Sequence, residues 1–153
     1  MSTLTSKILP EKAENDYKGY KVAEIIFLIL TIVTIIRSLI HFLAPDGGAG
    51  SIATIDLGVE GAEIIISIFA LWGSSQLLMA IIYLIVFFRY KNLIPLMYIL
   101  IIAEYIMRII VGLIKPFETT GIAPVAVWNY IAISLALMMF LLSILEPDSK
   151  NQI

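Results

Sequence analysis

Arg37, His41, Glu63, Glu104 and Arg108 stand inside long apolar stretches, and Glu24 lies near the start of one. Charge in such surroundings costs about +2.5–3.5 kcal/mol per group at the centre of a bilayer, so these residues must pair with one another or serve a site. Glu104 and Arg108 are four residues apart, the spacing that sets an acid and a base side by side on one helical face. Arg37 falls at a similar depth on a different stretch, so a second pair, across helices, is expected with Glu104.

The neighbours of these charges follow helical periodicity. Thr31, Thr34, Arg37, Ser38 and His41 fall within an arc of about 140°, and Tyr98, Glu104, Tyr105, Arg108 and Gly112 within one of about 120°. Glu60, Glu63, Ser67 and Ser74 recur along one face of another stretch, and Asn129, Ala132, Ala136 and Ser143 along a fourth. Each helix therefore carries one polar or small face, as in a bundle whose interior is more polar than its exterior. Trp72, Gln76, Met79 and Tyr83 form a second stripe, roughly opposite Glu63. That stripe reads as lipid-facing or packing aromatics, or as a homo-oligomer contact held by Gln76.

The chemistry this set supports is recognition of a small anionic or amphipathic molecule, for binding or transport. Arg37 and Arg108 would hold negative charge, Glu104 or Glu63 would take a proton, and Thr34, Ser38, Tyr105 and His41 would complete the lining. The expected pocket lies between the first three long helices and opens outward under the Gly-rich loop, with Ser67 also in its wall. A structural or accessory subunit is the alternative, its charges acting as register-setting ion pairs. Interhelical polar contacts in membranes contribute on average about 0.6 kcal/mol where measured. His41, close to Pro45, leans toward a capping or surface role. A third reading makes His41 and a carboxylate the acid and base of a lipid-modifying enzyme or isomerase. One histidine without a motif is thin support for that, so no catalytic residue is assigned and an enzyme is the less expected class.

Cysteine is absent and His41 is the single histidine. Disulfides, thiolate ligands and thiol catalysis are thereby excluded, and no multi-histidine metal site fits within one chain. No metal and no cofactor is expected. The run Asp46-Gly-Gly-Ala-Gly-Ser could offer backbone N–H groups to an anion. It has neither the acidic repeat of an EF-hand nor the phosphate-binding Walker pattern, and it reads first as a flexible turn.

The elements that must position these residues are transmembrane helices. Hydrophobic residues make up 60% of the 153, and charged residues 14%, against about 45–50% and 25% in soluble domains. Mean hydropathy is +0.99. A soluble globule of this size has too little interior to hide so much apolar surface, so the bilayer is the first partner. The net charge of -2 and the lack of a basic stripe point away from nucleic acid. Four segments, about 22–44, 60–88, 93–115 and 124–145, approach or exceed the roughly 20 residues that span about 30 Å. They form one domain over residues 22–146, an all-α four-helix transmembrane bundle. Residues 1–21 are a polar tail, partly disordered or lying on the surface, and residues 147–153 a second tail. The first apolar segment begins too late and runs too long for a cleaved signal peptide.

Orientation follows from Lys and Arg near the helix ends. Lys7, Lys12, Lys18, Lys21, Arg89 and Lys91 gather on one side, with Lys115 alone on the other. Both termini are therefore expected to be cytoplasmic, in a bacterial inner membrane. The runs RSLIHFLAPDGGAGSIATID (37–56), FALWGSSQLL (69–78), RYKNLIPLMY (89–98) and EYIMRIIVGLIKP (104–116) resemble a family of small four-helix bacterial membrane proteins of unknown function. The resemblance covers most of residues 30–125 and implies the fold but no activity. Four helices with an intramembrane acid are also similar to the small multidrug transporters. Those carry their essential glutamate in the first helix of a shorter chain, which Glu24 and Glu104 do not match.

Overall fold

A computed structural model of the chain describes residues 4–121 and 124–147. Its helices are α1 (Leu4–Ile8), α2 (Lys21–Leu43), α3 (Ala62–Arg89), α4 (Ile94–Ile114) and α5 (Pro124–Ile144), with no strand among the described residues. The last four are long and apolar enough to cross a membrane. The chain is an all-helical, multi-pass membrane protein built on a four-helix bundle. Its helices satisfy their own backbone groups, as lipid demands. One end of the bundle carries α1, the polar tail and the α3–α4 turn, and is called here the tail end. The other carries the 44–61 loop and the segment after α4, and is called the loop end.

The stops are local chemistry. Pro95 sits in the first turn of α4, where its missing N–H costs nothing. A single 3₁₀ turn, Lys91–Leu93, joins α3 to α4. Glu63 lies in the first turn of α3, where the N–H groups of the helix start favour an acid.

Packing is uneven. α2 lies along α3 and α4 along α5, α5 also meets α2, and the backbones of α3 and α4 seldom come close. Gly73 brings α3 against α2, since a Cβ there would stand 2.6 Å from His41 Cβ and 2.9 Å from the Phe42 nitrogen. Ala132 and Ala136, both fully buried, let α5 approach its neighbours as small residues do in membranes.

The tail half is closely packed. Phe27 is buried between Tyr83 and Tyr98, with ring centroids 5.7 and 5.8 Å away in edge-to-face geometry. Such aromatic pairs contribute about 0.5–1.5 kcal/mol beyond the area they bury. The Tyr98 hydroxyl donates to the Ala23 carbonyl at 2.6 Å, satisfying a polar tip inside the core. Glu24, also buried, accepts from Lys21 at 2.6 Å and pairs with Lys91 at 2.9 Å. It clamps the start of α2 to the α3–α4 turn and so stays apart from the polar arc further along α2.

Residues 4–20 are more structured than a loose tail. Lys7 donates to the Ile144 carbonyl and pairs with Glu146. The Asn92 side chain accepts from the Glu14 N–H at 2.9 Å and donates to the Lys12 carbonyl at 2.8 Å. Asn92 thus supplies both halves of an amide pairing to the passing backbone, a pattern that composition alone does not reveal.

Candidate functional site

Two guanidiniums meet one carboxylate in the loop half of the bundle. Arg108, on α4, forms a tight ion pair with Glu104 one turn below it, its Nε donating to Oε1 at 3.0 Å. Arg37, on α2, reaches the same Oε1 only at 3.8 Å, beyond hydrogen-bond range. Its Nη atoms lie 3.5 Å from the Tyr105 hydroxyl and 3.4 Å from Gln76 Oε1, both long contacts. Gln76 Oε1 also accepts from Arg108 at 3.3 Å, so one neutral oxygen serves both cations. The Arg37 Nε is buried with no partner among the described residues.

Aromatic faces do the rest of the holding. Arg108 lies 4.6 Å from the Trp72 ring centroid and 5.1 Å from that of Tyr105. Arg37 lies 5.8 and 5.9 Å from the same two rings. At these distances the ring quadrupole attracts a cation, by about 0.5–2 kcal/mol depending on desolvation. Trp128 Nε1 donates to the Tyr105 hydroxyl at 3.0 Å, fixing that ring from α5. Exposure separates the charges slightly: the side chains of Arg37 and Arg108 are 12% and 14% exposed, and that of Glu104 is 23%.

A cavity of about 400 Å³ adjoins this cluster. Glu104 and Arg108 form its charged end, with His41 and Asn129 nearby. The remaining wall is apolar, from Ile52 and Ala53 of the loop, Phe69 and Trp72 of α3, and Met107, Val111, Gly112 and Phe117 on and after α4. Asn129 Oδ1 is buried and unpartnered among the described residues. His41 lies against Trp72, ring centroids 4.7 Å apart and tilted by 46°, and its Nδ1 lies 2.7 Å from the Gly47 carbonyl. A carbonyl only accepts, so Nδ1 carries the hydrogen in this contact.

The loop above the cavity has a shape that explains its glycines. Asp46 accepts from the N–H groups of Gly48 at 2.9 Å and Ser51 at 2.7 Å, which holds its carboxyl below the usual aspartate range. Gly48 has φ +71°, and a Cβ there would stand 2.7 Å from His41 Nδ1. Of the N–H groups that this run could offer to an outside anion, those of Gly48 and Ser51 are therefore occupied by the loop's own aspartate, and those of Gly47 and Ala49 by the Ala44 and Asp46 carbonyls. Thr54 and Thr120 join the two loops through the Thr120 N–H, 2.8 Å from the Thr54 carbonyl.

The expected residues divide. Arg37, Glu104, Arg108 and Tyr105 come together, and His41 joins them at the cavity, buried rather than on the surface. Thr34 and Ser38 lie on the right helix, but their hydroxyls bond to the Leu30 and Thr34 carbonyls of that helix, and neither lines the cavity. Glu63 and Ser67 are exposed and form no part of the cluster. α3 instead turns the Trp72–Gln76 face inward, as packing aromatics, and Gln76 bridges the two arginines. The expected position, between the first three long helices, shifts toward the loop, α3 and α4, with Asn129 of α5. Trp72, Gln76, Trp128 and Asn129 are the site residues that sequence reasoning did not place there. Trp72 and Gln76, four residues apart beside two arginines, carried the one usable signal. Among the described residues no three His, Asp or Glu side chains converge as a metal ion would need.

No family model, curated protein or solved structure matches the chain.

Proposed function

We propose that the chain binds, and in doing so can carry, a small anionic or amphipathic molecule at Arg108 and Arg37. The carrying observation is charge imbalance: two guanidiniums share one carboxylate, beside a cavity that touches Arg108. With Glu63 elsewhere, the cluster keeps one uncompensated positive charge in surroundings where electrostatic attraction is strong. Aromatic faces and the Gln76 amide soften that excess without cancelling it. An oxyanion against Arg108 would complete the neutralisation and gain charge-assisted hydrogen bonds.

Native mass spectrometry of the purified protein tests this. The wild-type chain is expected to retain an anionic adduct, and Arg108→Gln to lose it. Equal adduct patterns in the two proteins would refute the proposal. The gathering of Lys and Arg at the tail end favours cytoplasmic termini and, in a bacterium, the inner membrane.

A structural subunit is the second reading. It is favoured by the Arg37–Glu104 ion pair, which links α2 to α4 where those helices otherwise meet little. On that reading the protein purifies without adduct and Arg108→Gln mainly lowers stability.

A further inference from the structure

The cavity is a mixed container: charged at one end, apolar along its length, and unsealed on the side of α4. Met107 and Val111 line it and yet are 58% and 50% exposed. Both belong to the membrane-spanning part of α4, so the surface they present outside the cavity faces hydrocarbon rather than water. The cavity is lined from both α3 and α4, whose backbones approach little, with Trp72 and Gln76 of α3 reaching across to Arg108. A small hydrophilic anion gains nothing from such walls or from such an opening. A molecule with an apolar chain gains both a matching wall and a route that never exposes the chain to water.

We infer that the ligand is a single-chain lipid anion, a long chain ending in a carboxylate or phosphate oxyanion, which reaches Arg108 sideways from the bilayer between α3 and α4. This rests on the anion-binding reading of the same site. The head group meets Arg108, with Arg37 behind it adding positive potential. The chain lies over Trp72, Met107 and Val111 toward the gap. A volume of about 400 Å³ is near the lower part of the range for drug-sized ligands, and suits one chain rather than the paired chains of a bilayer phospholipid. Bilayer hydrocarbon is as apolar as the wall, so the chain delivers and orients the ligand while selection comes from the head group.

The protein's tryptophans, Trp72 and Trp128, both touch the cluster, so their emission reports on the site. The probe is dibromostearate, whose bromines quench tryptophan on contact, added at alkaline pH to nanodiscs of phosphatidylcholine containing the full chain. The uncharged control is the methyl ester of the same chain. Saturable quenching is expected from the acid at a mole fraction about tenfold lower than from the ester, a head-group preference of about 1.4 kcal/mol. Arg108→Gln should abolish the preference and Arg108→Lys should keep it. The wild-type comparison of acid with ester stands even where a variant does not fold. Suppose acid and ester quench alike, while acetate or inorganic phosphate in the water still shifts the emission through Arg108. The lipid inference then falls and the anion-binding reading survives. If neither the acid nor the soluble anions act through Arg108, both fall.

Discussion

The two ends of the bundle solve the problem of polar groups in lipid in opposite ways. In the tail half, the Tyr98 hydroxyl donates a hydrogen bond to a backbone carbonyl and Glu24 is answered by two lysines. The space between is filled by Phe27, Tyr83 and small residues of α5. In the loop half, two arginines divide one carboxylate and one amide oxygen, a guanidinium nitrogen has no partner among the described residues, and a cavity stands beside them. A polar network that only set register could have been closed like the first. The contrast sets close packing at one end against incompletely answered charge at the other, and the proposed binding rests on the second, since functional sites depart from the satisfaction seen elsewhere in a fold.

Substitutions at the two ends should therefore differ in size and kind. Phe27→Ala removes a buried ring from the tail half and is expected to cost about 3–5 kcal/mol, read as a large fall in thermal midpoint in detergent. Glu104→Gln should cost less, about 1–2 kcal/mol, because water in the cavity can reach Arg108 and membrane polar contacts are individually modest. Adding Arg108→Gln should restore part of that loss, since the double change removes a charge along with its partner. If the double variant loses the sum of the two single losses, the pair is not coupled. If Glu104→Gln is as damaging as Phe27→Ala, the loop half is as dry as the tail half and the contrast disappears.

The smallest expected effect concerns the loop. Asp46 is held below its usual value mainly by the Gly48 N–H, then by that of Ser51. A carboxyl whose folded value is depressed supports the structure above its ordinary value of about 3.9. It withdraws that support as pH falls through the lowered one. Loop order, followed by amide exchange at Gly48 and Ser51, should hold across the neutral range and fail only in strong acid, ahead of the tail-half amides. Loss of both together would mean that the loop is not an independent unit.

The four spans were legible because apolar length is a strong signal, and the Glu104–Arg108 pair because spacing of four on a helix leaves little choice. The inward face of α3 was not. Glu63 and Ser67 mark a polar stripe, but Glu63 lies in the first turn of the helix, where an acid is favoured locally and needs no partner inside the bundle. Arginine, in turn, is well served by an aromatic face and an amide, so Trp72 and Gln76 outcompeted a second carboxylate. Thr34 and Ser38 looked like lining residues, yet a hydroxyl in an apolar helix can return its proton to the carbonyl four residues back. The cavity's lateral opening depends on how far α3 and α4 diverge, which no periodicity encodes.

The central claim is that the loop half presents positive charge to an accessible space. The chain has no cysteine, so a single one can be placed at Gly112, which lines the cavity and has open room for a side chain. Relative to the ratio of rates with a free thiol in solution, Gly112→Cys should favour a sulfonate-bearing methanethiosulfonate over its trimethylammonium counterpart, and Arg108→Gln in the same background should erase that bias. A thiol whose ratio shifts toward the cationic reagent, or keeps its solution value, would contradict the account.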